Sequence, residues 1–340
     1  MIGSARVRLT AHQALPLARF AVARALNRKF PLSATLCLTD RCNFRCVYCK
    51  VPSLERDEMS TEEWIGAIDE LHAAGTLRVS LMGGEPLVRR DIGRIIEHLK
   101  SLHMNVAMNT NGWLVGAHID DVARLDLICV TLDGPREVHD TQRHPGSHDR
   151  ALAAIDAART RGVQVVTMTV LTAAGTRHVD YVLDVARHAG FSAFFQLQHA
   201  DDGDPNRPIG AGLSDDEVES VARHLLKRKE EGAPVGPSRT YLEALAGGAR
   251  RLHSCAECSG SRYFFAIAPQ GDVTACPMTF RRRPAVNGRE LGFRRAFETL
   301  PQPTDAGCSC YPLNELNYVL RFRAEAMLNV MGQMWGVARP

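Results

Sequence analysis

The chain has 340 residues, 45% of them apolar and 23% charged, enough to bury a substantial core in one large domain or two smaller ones, and this composition excludes a disordered chain. Apolar runs stay short of the roughly 20 residues that span a bilayer, so a soluble protein is expected. The net charge of +3 hides an asymmetry: the first 39 residues hold six basic residues (Arg6, Arg8, Arg19, Arg24, Arg28, Lys29) and no Asp or Glu, and no nucleic-acid partner is expected.

Residues 1–32 read as a basic N-terminal helix with Leu15, Ala18, Val22, Ala25 and Leu26 on one face and Arg24 and Arg28 opposite. Such a helix can lie on an anionic membrane surface or mimic a transit sequence. Two of the five stripe residues are alanine, which limits the area for insertion, so packing on the outside of the core is the favoured expectation. The layout of a signal peptide is missing, which points to reduced thiols and a cytoplasmic location.

After Pro31 strand and helix patterns alternate. Strands are expected at Ala34 to Thr39, Leu77 to Met82, Asn105 to Asn109, Leu127 to Leu132, Val163 to Leu171 and Ser192 to Gln198. Helices are expected at Thr61 to Ala74, Asp91 to Leu102, Ile119 to Ala123, Asp149 to Arg161 and His178 to His188. Six parallel strands with outer helices make an α/β partial barrel over residues 33–200, open rather than closed. In such barrels the chemistry sits at the C-terminal strand ends, and here polar and glycine-rich sequence collects there. The second strand runs into Gly83-Gly84-Glu85-Pro86, the third into Asn109-Thr110-Asn111-Gly112, the fourth into Asp133-Gly134. Period-two alternation places Thr167 and Thr169 on one face of the fifth strand and Gln196 and Gln198 on one face of the sixth, where a polar substrate would satisfy them. Residues 201–253 read as a linker with a charged helix opened by Ser214, and Asp201 to Pro205 as a solvated turn rather than a calcium loop.

The first strand leads into Cys42-Asn43-Phe44-Arg45-Cys46-Val47-Tyr48-Cys49. Three thiolates on one short loop hold a four-iron cluster by three corners and leave the fourth iron open. A disulfide with a spare thiol, or part of a zinc site, is the bland alternative. Cys37 and Cys129 lie alone in strands and read as small apolar core residues. A second group, Cys255, Cys258, Cys276, Cys308 and Cys310, occupies 254–312, with a hairpin at Gln270-Gly271-Asp272 before Cys276; residues 313–340 complete the chain as a helix. By spacing alone the second group suits zinc and iron about equally, and a nearby first cluster tilts the choice to iron.

The cysteine loop with Tyr48 before its last thiol, followed by Gly83-Gly84-Glu85-Pro86, resembles the radical S-adenosylmethionine superfamily over roughly residues 33–200. The resemblance implies that Cys42, Cys46 and Cys49 bind a 4Fe–4S cluster whose free iron takes S-adenosylmethionine. Tyr48, Gly83, Gly84, Glu85, Asn109, Asp133 and Arg143 would then bind that cofactor. The C-terminal thiols resemble a SPASM or twitch extension with one auxiliary 4Fe–4S cluster, held by four of the five cysteines; the pair Cys308-Ser309-Cys310 departs from the usual CxxC. Too few residues precede the first strand for a leader-peptide or cobalamin domain, and the Gly-rich tail of the molybdenum-cofactor cyclase is absent.

The expected activity is therefore reductive cleavage of S-adenosylmethionine, with a flavodoxin or ferredoxin as reductant, and hydrogen abstraction from a peptide or small polar metabolite. A membrane lipid is the alternative substrate. A non-catalytic iron–sulfur carrier would lack the cofactor-type strand ends, and a zinc-stabilised binding module would need the C-terminal thiols only.

Overall fold

Alternation of short apolar strands and amphipathic helices after Pro31 folds as the periodicity predicts. The structure, a computed structural model, describes residues 11–53, 57–173, 175–198, 212–248, 258–277, 285–302 and 310–334. Helix α1 (Ala11–Ala25) precedes β1 (Ser33–Cys37), α2 (Thr61–Ala74), β2 (Arg78–Met82), α3 (Ile92–Ser101), β3 (Asn105–Thr110), α4 (Ile119–Val122) and β4 (Leu127–Thr131). Then come α5 (Arg136–Gln142), α6 (Ser147–Thr160), β5 (Gln164–Leu171), α7 (Val179–Ala189) and β6 (Ser192–Leu197). The remainder holds α8 (Asp215–Glu230), α9 (Arg239–Ala246), β7 (Phe264–Ile267), β8 (Asp272–Thr274), β9 (Val286–Asn287), α10 (Gly288–Leu291), α11 (Phe293–Thr299), α12 (Tyr311–Leu320) and α13 (Ala324–Met334).

Local chemistry explains the boundaries. Ser60 and Glu63 form a reciprocal capping box at the start of α2, and Gly75, at φ 106°, ends it in the left-handed conformation that glycine accepts without a Cβ penalty. On α3, Ile92, Ile95, Ile96 and Leu99 follow the helical period and are all fully buried against the sheet. Ser214 and Glu217 form a second capping box on α8, the charged linker helix the sequence announces.

One sheet of nine strands runs in the order β6-β5-β4-β3-β2-β1-β7-β8-β9. Strands β1 to β6 pair parallel and form the expected partial barrel. The expected boundary between core and extension is not a break in the sheet: β7 pairs parallel with β1, and β8 and β9 continue antiparallel from it. Periodicity reveals only six strands because β7 is four residues long and pairs with a partner some 230 positions away, a signal no local period carries. On the far side, Val235 bridges Ala193 and shields the β6 edge. Residues 313–340 are not one helix: α12 starts at Tyr311, and α13 follows after a turn at Phe322, φ 57°.

Helix α1 packs on the core, but with the opposite face from the one its apolar stripe suggests. Phe20 packs against Phe30 and Tyr263, and Arg24 turns inward to donate to Leu320 O at 2.7 Å. Leu15, Val22 and Leu26 point outward, 67%, 58% and 57% exposed. The Phe20 ring contacts and the inward Arg24 fix this orientation and leave the leucines and valine of the stripe outward. No helix among the described residues is long and apolar enough to cross a membrane.

Candidate active site

The sheet register decides which strand residues reach the site. Val130 pairs with Thr167, and a side chain added at Gly112 would meet Val130 together with Ala151 and Ala154 of α6, so this face of β4 and β5 is the helix-covered one. Alternate residues Met82, Asn109 and Thr131 face the other way and line a cavity of about 190 Å³ at the C-terminal strand ends. Cys42, Cys46, Cys49, Tyr48, Gly83, Gly84, Glu85 and Arg143 line the same cavity. Every cofactor position expected from the sequence except Asp133 is thus brought to one place.

Thr167 and Thr169 are a correction. They do share a face of β5, but it is the outer one, and both are fully buried. Thr169 donates to Leu132 O at 2.7 Å, while Thr167 Oγ1 is a buried hydroxyl without a partner in the structure. Period two fixes that they point together and not which way, because a parallel strand is apolar on both faces. Gln196 does face inward, yet it serves the scaffold: Oε1 accepts from the backbone N–H of Tyr311 at 2.9 Å, and Nε2 donates to Leu197 O. Gln198 lies one residue past the end of β6 and pairs by its backbone N–H with Leu171 O.

The glycines act first on the protein itself. A Cβ at Gly83 would lie 2.3 Å from Thr39 O and one at Gly84 2.3 Å from Arg41 O, so only glycine lets this turn seat against the start of the cysteine loop. Glu85 is 1% exposed and accepts from the backbone N–H groups of Leu87 (3.2 Å) and Asn111 (2.7 Å) and from Thr110 Oγ1 (2.9 Å). It both caps the short turn Pro86–Val88 and fixes the end of β3; burial pushes its carboxyl up to about 7. Asn111 stands in the same polar strand end as Asn109, and nothing in the local pattern singles it out. Its Nδ2 donates to Asn43 Oδ1 at 2.8 Å and reaches Cys42 Sγ at 3.9 Å.

The donor set suits a cluster. Phe44 N–H points at Cys42 Sγ (3.4 Å) and Arg143 Nη1 at Cys46 Sγ (4.0 Å), the N–H···S contacts that stabilise thiolate-held iron–sulfur centres. Burial raises all three thiols, Cys42 to about 11, so they are poor free nucleophiles and need a metal to become thiolates. The described residues gather no three His, Cys, Asp or Glu closely enough for a single ion, whereas a four-iron cluster spreads its thiolates over separate irons.

In the second group, Cys255 and Cys308 lie outside the described residues. Cys276 and Cys310 are buried in one small cluster with Phe264 and Leu313, and Cys310 is the N-cap residue of α12. Cys258 is buried within 3.9 Å of Asn317 Nδ2 on the same helix, while Asn314 Nδ2 donates to Cys310 O at 2.8 Å. Three of the five expected ligands therefore lie against α12. Cys37 and Cys129 are buried strand residues, as expected. The turn at 201–205 lies outside the described residues.

The family described as Radical SAM superfamily matches residues 36–192. Mycofactocin maturase MftC of Mycobacterium ulcerans (strain Agy99) is 31% identical over 270 residues, covering 74% of this chain and 70% of its own length. The chain belongs to the radical SAM superfamily. Its members are enzymes that use S-adenosylmethionine and a 4Fe–4S cluster, so two of the three expected cofactors follow from membership. GTP 3′,8-cyclase 1 of Pseudomonas aeruginosa is 32% identical over 266 residues, 71% of this chain and 78% of its own length. Against three further proteins named as the maturase, the chain spans 64% of their length. The fold matches Streptococcus suis SuiB bound to S-adenosylmethionine at TM-score 0.67, 16% identity, covering 85% of this chain and 71% of that one. Two relatives of such different printed activity establish the superfamily and its chemistry, not the substrate.

Proposed function

We propose that this radical SAM enzyme is a maturase that abstracts hydrogen from a peptide. The carrying observation is the cavity in which Cys42, Cys46 and Cys49 meet Gly83, Gly84, Glu85, Asn109 and Arg143 at the strand ends. When bound, the cluster supplies an electron at low potential and S-adenosylmethionine supplies the 5′-deoxyadenosyl radical. The protein supplies placement: Glu85 and Asn111 hold the end of β3 against the cysteine loop, and the glycine turn keeps that wall of the cavity at backbone height. Peptide as substrate class is supported by the likeness to a maturase and by the fold shared with SuiB, which is also described bound to its precursor peptide SuiA. Four of Cys255, Cys258, Cys276, Cys308 and Cys310 would hold an auxiliary 4Fe–4S cluster, and a flavodoxin or ferredoxin would deliver electrons.

Anaerobic reconstitution tests this. The wild-type chain should release 5′-deoxyadenosine on reduction, and Cys42→Ala, Cys46→Ala and Cys49→Ala should each abolish it. Incubation with perdeuterated peptides encoded beside its gene should transfer deuterium into that product; transfer from small metabolites alone would overturn the peptide assignment.

One observation favours a second feature, peripheral membrane contact. The outward Leu15, Val22 and Leu26 lie in a segment with no acidic residue up to position 39, a pattern suited to an anionic lipid surface. Flotation with anionic vesicles, lost in a Leu15→Ser, Val22→Ser, Leu26→Ser variant, would support it.

A further inference from the structure

By resemblance Asp133 is a cofactor ligand, but its surroundings leave it no room for that role. It is fully buried, and both carboxylate oxygens are engaged: Oδ2 accepts from Tyr48 O–H at 2.7 Å and Arg143 Nε at 2.5 Å, and Oδ1 accepts from Val170 N–H at 2.9 Å. Its own backbone N–H donates to His139 Nδ1 at 3.1 Å, which fixes the residue from the opposite side. Tyr48 and Arg143 line the cavity in front of it.

These partners belong to the cysteine loop or touch it. Tyr48 lies between Cys46 and Cys49, and Val47 N–H donates to Gln142 O at 2.9 Å. Arg143 is only 7% exposed; its guanidinium carbon lies 5.4 Å from the Tyr48 ring centroid, and Nη1 reaches Cys46 Sγ at 4.0 Å. A buried cation this close to a ligand sulfur acts strongly on it, because little water screens the pair. Asp133 supplies the balancing charge and holds the guanidinium in register.

We propose that Asp133 is a positioning residue of the first cluster: acting through Tyr48 and Arg143, it latches residues 46–48 to β4 and β5 and sets the positive charge that Cys46 feels. This rests on the reading that Cys42, Cys46 and Cys49 hold a 4Fe–4S cluster. Hydrogen bonds and charges at cluster sulfurs tune reduction potential, so the two halves of the latch have opposite signs. Removing the carboxylate charge leaves Arg143 uncompensated, which favours the more negative reduced cluster. Removing the guanidinium does the reverse. Removing the Tyr48 hydroxyl loosens the loop without changing charge.

The test is potentiometric titration of the reconstituted full chain, followed by electron paramagnetic resonance of the first cluster. Iron content of the wild type is measured first; a wild type that takes up no cluster overturns the parent reading and this proposal with it. Asp133→Asn should shift the midpoint potential upward and Arg143→Gln downward. Tyr48→Phe should leave it within error while the cluster is lost faster to a chelator. Shifts of Asp133→Asn and Arg143→Gln in the same direction, or none in either, overturn the proposal. Should Asp133→Asn fail to fold, Arg143→Gln against Arg143→Lys decides: a downward shift in the first that the charge-conserving variant does not share supports it, and equal potentials overturn it.

Discussion

Gln270 donates from Nε2 to Asp40 Oδ2 at 3.0 Å, joining the turn between β7 and β8 to the residue two positions before Cys42. The same turn receives Met59 N–H at Pro269 O (2.7 Å), and Arg289, just beyond β9, pairs with Asp57 and Glu63 at 2.7 Å each. The extension that carries the second cysteine group thus props the approach to the first. Gln270→Leu should destabilise the protein by about 1.5–3 kcal/mol, the range for a hydrogen bond to a charged group, towards its lower end because this bond is only partly buried. Thermal melts should show the loss, and the first cluster should bleach faster in air; unchanged melting and bleaching would deny the prop a role.

Gly84 and Gly66 should respond oppositely to alanine. At Gly84 the added methyl lies 2.3 Å from the Arg41 carbonyl oxygen, so backbone must move and about 3 kcal/mol or more is lost. At Gly66, inside α2, nothing lies within 4 Å, and the substitution should add about 0.5–1 kcal/mol through helix propensity. Denaturant titration of the two variants beside wild type measures both signs.

His139 makes stability fall in acid. The ring is buried, accepts from Asp133 N–H and has a buried Nε2 without a partner, and desolvation lowers its pKa from 6.5 to about 4. A lowered folded pKa means that its stabilising share is whole above pH 6.5 and is lost as pH falls towards 4, about 2 kcal/mol between pH 7 and pH 5. His139→Asn keeps an acceptor for Asp133 and removes the titration. Its melting temperature should drop less over that pH interval than wild type; an equal drop would place the acid sensitivity elsewhere.

Cys276→Ser with Cys310→Ser tests the second site. Iron per chain should fall by about four while the resonance of the first cluster persists. Loss of zinc in place of iron would assign the site as structural.

Much of this architecture is legible in the order of the residues alone. The cysteine loop falls after β1 and the glycine turn after β2 because polar strand ends interrupt clear apolar runs, and those interruptions are local. The direction of Thr167 and Thr169 is not local: it depends on which face α6 covers. The orientation of α1 misleads for a related reason, since it is set by the packing of Phe20 on Phe30 and Tyr263, partners that no local period reveals. Asn111 hides in a string of plausible polar residues, and only its approach to Asn43 and Cys42 distinguishes it.

The parallel pairing of β1 with β7 bears on how this chain can be dissected or recombined. A truncation after β6 would strip one whole side of β1 of its hydrogen-bond partners and leave a bare edge that invites intermolecular pairing. Exchanging the cysteine-rich part with that of a relative would mean grafting a strand into the middle of a sheet, with the Gln270 prop and the Arg289 ion pairs in register. Core and extension share this seam, so a functional exchange would have to keep β7 in register with β1.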